Sequence, residues 1–236
     1  MVDLTPALEQ DTIEYPDSDG QPMADNTLQF EWITLIKGNL DWLFAEDPDV
    51  FVAGDLLWYP VQGKPKIRHA PDGLVAFGRP KGYRGSYQQW LEGDIPPQVV
   101  FEILSPGDRP GEMNRKLLFY QHYGVEEYYL YDPEGNRLQG WIRREEILEW
   151  IEDLQDWVSP RLGVRFDPSG EPLVIYRPDG EPFMSYGERS RQVERERARA
   201  ERERARAERA RARAERARAD RFAAKLQALG LDPTDL

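Results

Sequence analysis

Apolar side chains recur every three or four positions between residues 28 and 44, a spacing that predicts an amphipathic helix. The residues on its apolar face are Leu28, Trp32, Leu35 or Ile36, Leu40 and Leu43. Asp25 or Asn26 can cap the first turn with a side-chain oxygen. The first 25 residues are rich in Pro, Asp and Ser, and we expect them to form an irregular lead-in.

Three segments rich in β-branched and aromatic residues follow, and they predict three strands. These strands cover residues 50–60, 73–77 and 99–104, the first being closed by Pro60. Residues 78–97 are interrupted by Gly and Pro, which predicts a surface excursion with a short helical turn at 87–91.

A second helix and further strands complete the predicted core. Helical spacing runs through Met113, Leu117 and Tyr120 and stops at Gly124. The segment "EEYYLYDPEGNRLQGWIR" predicts two strands joined by a hairpin at "DPEGN". Residues 145–157 predict another helix, and short strands near 162–166 and 173–176 are expected as additions to the sheet. The alternation of helices and strands predicts a mixed α/β sheet covered by helices.

The segment 187–229 consists almost wholly of Ala, Arg and Glu, which are strong helix formers. Each Glu from 188 to 215 has an Arg three residues later, which supports a helix. Alanines at heptad spacing also allow a weak coiled coil, helped at its ends by Val193, Phe222, Leu226 and Leu229. A single solvated helix, self-association and nucleic-acid contact through the arginines all remain open. The predicted organisation is a lead-in over 1–25, one domain over 26–186, the charged helix over 187–229 and a C-terminal end over 230–236.

Composition limits the chemistry that is available. The 236 residues are 40% apolar and 11% aromatic, enough for one substantial core. Because cysteine is absent, a metal must be held by oxygen or by the two histidines, which favours hard cations such as magnesium. No charged segment leads into an apolar run near the N-terminus, and no stretch approaches about 20 apolar residues, so we expect a soluble cytoplasmic protein with no membrane partner.

Charge is distributed unevenly along the chain, whose net value is −12. The segment 187–229 has 15 Lys and Arg against 8 Asp and Glu, whereas the remainder has 16 against 35. A body this acidic repels nucleic acid at long range unless metal ions or the basic segment compensate.

Glu102 lies inside an otherwise apolar predicted strand, so its carboxylate needs a partner in the fold. Asp72 follows a proline at the start of the strand 73–77. Neighbouring strands lie about 4.8 Å apart, so two such carboxylates can share an oxygen-liganded cation. Lys116, on the following helix, can reach back toward the strand end. Two acids and a lysine would make a hydrolytic site.

Each of these residues also has a structural interpretation. Asp72 can be a turn residue that bonds its own backbone, and Glu102 can form a buried ion pair with Arg109 or Arg115. For Lys116, the spacing alone favours a surface pair with Glu112, four residues earlier.

Three other polar residues are less informative. Asp55, within "VAGDLLW", is either a third acid of the site or an edge residue. His69 and His122 lack the spacing of a ligand pair, so we expect ordinary roles for both.

The segments "PDGLVAF", "VVFEILSP" and "RKLLFYQHYGVEEYYLYDP" resemble the Uma-two family of restriction-endonuclease-like proteins, a branch of the PD-(D/E)xK nuclease superfamily. The resemblance covers about residues 26–166 and implies a restriction-endonuclease-like αβββαβ core with a mixed sheet. It also implies that Asp72, Glu102 and the backbone carbonyl of Ile103 bind Mg²⁺ or Mn²⁺. The superfamily lysine stands two residues after the glutamate, where this chain has Leu104; the family draws its lysine from the following helix, and Lys116 is the matching position.

The resemblance implies a metal-dependent endonuclease that hydrolyses phosphodiester bonds of DNA, with Asp72, Glu102 and Lys116 as catalytic residues. The alternative is a catalytically inactive nuclease-like module for binding or assembly that forms homo-oligomers through its C-terminal helix. Leu104 and the acidic body favour this alternative. Hydrolysis of a smaller phosphoester is a third hypothesis.

Overall fold

The computed structural model describes residues 13–228, with side chains as far as Lys225. The predicted C-terminal end over 230–236, the first part of the lead-in and the predicted roles of Leu226 and Leu229 lie outside the described residues or side chains. The chain divides into two compact units between Ser185 and Tyr186. Residues 13–25 contain no helix or strand.

The first unit has two helices and ten strands among its described residues. In chain order these are α1 (Thr27–Leu43), β1 (Val50–Ala53), β2 (Trp58–Tyr59), β3 (Gly73–Phe77), β4 (Tyr87–Gln88), β5 (Val99–Ile103), α2 (Pro110–His122), β6 (Glu127–Asp132), β7 (Arg137–Arg144), β8 (Ile147–Trp150), β9 (Arg165–Asp167) and β10 (Val174–Tyr176), with a short 3₁₀ helix at Gln89–Glu92. The second unit contains one long helix, α3 (Tyr186–Ala228).

A six-stranded sheet in the order β1-β3-β5-β6-β7-β8 forms the centre of the first unit. β5 and β6 are parallel, and the other neighbouring strands of this sheet are antiparallel. The main elements α1, β1, β3, β5, α2 and β6 follow one another in the predicted αβββαβ order. The predicted mixed α/β architecture with a long C-terminal helix is therefore confirmed.

Each face of the sheet carries its own hydrophobic core because strand residues alternate in direction. Phe101 and Ile103 pack with Trp32 of α1 and with residues of β9 and β10. Val100 and Tyr128 pack on the opposite face with Tyr120 of α2. Glu102 shares the face of Val100, so its side chain projects toward α2.

Local signals explain where α1 begins and where α2 begins and ends. Asn26 caps α1 by accepting a hydrogen bond from the Gln29 N–H at 2.8 Å, which selects one of the two predicted caps. α2 begins with Pro110 at its first position, and Gly124 with a φ of 93° follows its C-terminal end.

Three local predictions were wrong. The segment 50–60 is not one strand, because Asp55 adopts a φ of 49° and separates β1 from β2. The segment 145–157 is not a helix: Glu145, with a φ of 55°, turns the chain back, and β8 pairs with β7. The strands near 162–166 and 173–176 do not add to the main sheet, because β9 and β10 pair with each other in a separate two-stranded sheet. The helical turn predicted at 87–91 is present as the 3₁₀ helix at Gln89–Glu92, which follows β4.

α3 is 43 residues long, which corresponds to about 64 Å of α-helix. Its described side chains are almost all exposed. Arg199 and Glu203 form a pair one turn apart at 3.1 Å. No helix in residues 13–228 combines the length and apolar character needed to cross a membrane.

Candidate functional site

Glu102 lies in the middle of β5 with only 2% of its surface exposed. Lys116 Nζ donates a hydrogen bond to its Oε2 at 2.7 Å, and the Tyr120 hydroxyl donates to its Oε1. Both donors stand on α2 one turn apart, so a single helix face supplies them. The buried carboxylate has a cationic and a neutral partner, as its burial requires.

The partner of Lys116 differs from the one that spacing alone favours. The ammonium pairs with Glu102 rather than Glu112, and 16% of its side chain is exposed. Burial tends to lower the pKa of Lys116, but the Glu102 carboxylate outweighs it and raises the pKa above its usual range. Lys116 therefore stays protonated near neutral pH.

Asp72 immediately precedes β3 and connects this strand end to β5. Its Oδ2 accepts a hydrogen bond from the backbone N–H of Ile103 at 2.6 Å, so the bond runs to the neighbouring strand rather than to its own turn. Burial raises the pKa of Asp72 well above its usual range, and the nearby Glu102 charge raises it further. Asp72 is therefore a half-buried acid that lies beside a second acid, Glu102.

Asp55 and the Ile103 carbonyl lie beside this pair. The Asp55 N–H donates to the Pro71 carbonyl at 3.0 Å, which holds Asp55 next to the residue before Asp72. Burial and the charges of Asp19 and Glu102 raise the pKa of Asp55. The Ile103 carbonyl accepts a hydrogen bond from Gln29 Nε2 at 2.9 Å, and a carbonyl oxygen has a second lone pair.

These groups share one cleft of about 440 Å³. Its lining includes every residue that the sequence analysis predicted for the site: Asp55, Asp72, Glu102, Ile103 and Lys116. Seven carboxylate side chains and three cationic ones line the cleft. Such an excess of negative charge attracts cations.

The donor set fits a hard divalent cation. Among the described residues, no group of three or more acidic or histidine side chains is placed to hold a metal ion. Mg²⁺ commonly uses one or two carboxylates and keeps several waters, so Asp72, Glu102 and the Ile103 carbonyl suffice as protein ligands. Burial raises the pKa values of Asp72 and Asp55, and neighbouring carboxylates raise them further, so a bound cation would favour the ionised form of both side chains.

Both histidines have packing contacts that explain them. His69 lines the cleft with its ring against Phe119, the centroids being 4.7 Å apart. Burial and the charge of Lys116 lower the pKa of His69 to about 4, so it is neutral at pH 7. His122 is exposed on α2 and packs edge-on against Tyr123.

Tyr120 and Gln29 are the partners that the sequence interpretation missed. Tyr120 was assigned only to the apolar helix face, although its position four residues after Lys116 indicated that both could face one strand residue. Gln29 contacts Ile103 across 74 residues of sequence. No local pattern predicts a contact of that separation.

The family model for Uma2, described as "Putative restriction endonuclease", matches residues 7–166. The chain belongs to the Uma2 family. This confirms the resemblance carried by the segments around Asp72, Glu102 and Lys116. A search of curated proteins finds no match to this Uma2 chain.

Among solved structures, the Uma2 chain is similar to a protein described as "a putative nuclease belonging to DUF820 from Anabaena variabilis". The two chains are 14% identical, and the TM-score is 0.42. The similarity covers 57% of this chain and 72% of that one.

Proposed function

We propose that this Uma2 protein is a divalent-cation-dependent endonuclease that hydrolyses phosphodiester bonds in DNA. One observation carries the proposal: Asp72 and Glu102, from adjacent strands, line one acidic cleft in which Lys116 holds its ammonium 2.7 Å from Glu102. Membership of a family of restriction-endonuclease type supports the reaction class.

Each group has a role that follows from its environment. Asp72, Glu102 and the Ile103 carbonyl would hold Mg²⁺ or Mn²⁺, with Asp55 as a further acid near the ion. When bound, such a cation polarises a phosphate oxygen and lowers the pKa of a water molecule. Lys116 stabilises developing negative charge on the phosphoryl oxygens rather than abstracting a proton, because it stays protonated.

The acidic body must still admit a polyanion. The proposed cation neutralises charge inside the cleft, and the arginines of α3 offer a second, non-specific attraction for phosphates. A cytoplasmic location stays a prediction from the sequence.

Cleavage of supercoiled plasmid in Mg²⁺ or Mn²⁺ tests the proposed activity. We expect wild-type protein to nick the plasmid, a chelator to stop it, and Asp72→Asn and Glu102→Gln to lower the rate by about 100-fold or more, the size of effect typical for loss of a group that stabilises the transition state. Glu152→Gln removes an exposed carboxylate elsewhere and should cut at the wild-type rate. An intact plasmid with wild-type protein, or cutting at the wild-type rate by Asp72→Asn and Glu102→Gln, would contradict the proposal.

A non-cleaving binding or assembly module is the second candidate. Both carboxylate oxygens of Glu102 already accept hydrogen bonds, which favours a structural role for this acid. Leu104 at the usual lysine position points the same way. Absence of plasmid cleavage by the wild-type protein, combined with oligomer formation that depends on α3, would support this candidate.

A further inference from the structure

A second cavity of about 450 Å³ lies beside the candidate active site. Leu104, Asp108 and Met113 line both the cleft and this cavity, so the two are separated only by shared side chains. A substrate strand in the cleft would therefore have one of its neighbouring groups at the second cavity.

The floor of the cavity is built by the hairpin of β6 and β7. Three cross-strand pairs provide it because alternate residues of paired strands face the same side: Tyr128 with Trp141, Leu130 with Gln139 and Asp132 with Arg137. Met113, Asn114 and Leu117 of α2 form the wall, at the three- and four-residue spacing of one helix face. The sheet and α2 thus form two sides of the cavity, and residues of the segment 104–109, which joins β5 to α2, complete its lining.

Aromatic surface is the first feature that indicates a ligand. Tyr128 and Trp141 stack with ring centroids 4.9 Å apart and planes 16° from parallel. Trp150 of β8 packs nearly perpendicular to the Trp141 ring at 5.1 Å, so Trp141 presents its remaining surface to the cavity. Tyr128 has no exposed surface, yet its hydroxyl has no hydrogen-bond partner within the described residues. Such an unsatisfied group is rare in folded proteins and marks an incomplete environment.

Unused polar groups are the second feature. The side chains of Arg109, Asn114 and Gln139 make no hydrogen bond or ion pair with the described part of the chain. Amide side chains present a donor and an acceptor side by side, which matches the edge of a nucleobase. The lining has three acidic and two basic side chains, which favours a neutral planar group over a phosphate.

We propose that this cavity binds one unpaired nucleobase of the DNA strand next to the bond cut in the cleft. The base packs against the part of Trp141 that lines the cavity, and Asn114 and Gln139 contact its edge. This inference rests on the proposed nuclease function, since it takes DNA as the substrate. It adds a subsite that would favour unpaired or easily unpaired DNA over a regular duplex.

A short duplex that contains one unpaired 2-aminopurine tests the subsite. Stacking quenches 2-aminopurine fluorescence, so the protein is titrated with a chelator present and at 0.15 M salt, where DNA is not cut. We expect wild-type protein to quench the fluorescence. Asn114→Ala and Gln139→Ala should each weaken binding about tenfold, the size typical of a good amide–base contact.

Matched variants separate stacking from folding. Gln62→Ala removes an exposed amide away from both cavities and should bind like the wild type. Trp141→Phe keeps an aromatic ring and should retain most of the quenching that Trp141→Leu loses. Absence of quenching by the wild type, or equal binding by the wild type, Asn114→Ala and Gln139→Ala, would overturn the subsite.

The plasmid assay distinguishes failure of the subsite from failure of the proposed function. Quenching that depends on Asn114 and Gln139 without plasmid cleavage would keep the nucleobase site and remove the nuclease activity. Cleavage that depends on Asp72, with quenching independent of Asn114 and Gln139, would keep the activity and remove the subsite.

Discussion

Glu102 is tolerated inside an apolar strand because α2 brings Lys116 and Tyr120 to its two oxygens. Burial of the Asp72 carboxyl and the nearby Glu102 charge oppose its ionisation, whereas one backbone N–H and the Lys116 charge favour it. Ionisation of Asp72 in the folded chain without a cation therefore carries a free-energy cost, and the same holds for Asp55. That cost is what a bound divalent cation would relieve.

The raised pKa of Asp72 predicts how stability depends on pH. In the range below about pH 3.9 Asp72 is protonated in both the folded and the unfolded chain, and its contribution to stability is fully present. As pH rises toward the raised folded-state pKa, the unfolded chain releases this proton more readily, so the free energy of unfolding falls. Asp55 acts in the same direction.

Urea unfolding of the metal-free protein between pH 4 and pH 8 measures this dependence. Asp72→Asn should reduce the decline and be more stable than the wild type at the upper end of the range. Glu152→Gln, an exposed acid, serves as the control and should follow the wild-type curve. Identical pH profiles for wild type and Asp72→Asn would contradict the assigned environment.

At the scale of elements, the sequence correctly predicts those strands whose apolar pattern ends at a clear turn signal such as Gly, Pro or Asn. β3 coincides with the predicted strand 73–77, and the hairpin at "DPEGN" joins β6 to β7 as predicted. The prediction of a helix over 145–157 was wrong although its apolar residues repeat at helical spacing: Ile147, Trp150, Ile151 and Leu154. Their chain direction is instead set by a turn at Glu145, a residue type that rarely adopts positive φ and so gives no turn signal.

The sequence predicts the residues of the candidate site but not all of their contacts. Its acids could be found because Asp72 and Glu102 interrupt apolar strands, whereas the partner of Lys116 depends on how α2 packs against β5. Within α2, the spacing of four residues offers Glu112 as a partner for Lys116, and the sequence gives no sign that a residue of a distant strand competes with it. Only tertiary packing decides between them.

Gly124 fixes the C-terminal end of the helix that carries Lys116. Its φ is 93°, and an added Cβ would meet Pro96 Cγ at 3.1 Å, so Gly124→Ala should cost about 1 kcal/mol or more. Gly111→Ala, in the same helix with open space at the Cβ, should be neutral or stabilise by up to about 1 kcal/mol. Denaturant unfolding of the two variants checks the contrast, and equal stabilities would show that this helix end does not need glycine.

For the whole molecule, the division into two units separates two kinds of chemistry. The first unit carries the acidic cleft, and α3 carries Arg and Glu on an exposed surface with few large apolar side chains. A coiled coil built on alanines buries little area, so any self-association through α3 should be weak. The role of α3 stays a prediction.

Truncation after Ser185 tests that role. The first unit has its own core and should remain folded, with an unchanged far-UV spectrum for its sheet. We expect the mass of the full chain in sedimentation to rise with concentration and the truncated chain to stay monomeric. A full-length chain that is monomeric at every concentration would remove the assembly role of α3.

Calorimetric titration of Mg²⁺ or Mn²⁺ into the apo protein tests the central claim, that two carboxylates from adjacent strands hold one divalent cation. We predict saturable binding of one ion by the wild type and by Glu152→Gln, and a loss of affinity of at least about tenfold for both Asp72→Asn and Glu102→Gln, in line with loss of a ligand group. Absence of binding by the wild type, or wild-type affinity in Asp72→Asn and Glu102→Gln, would contradict it.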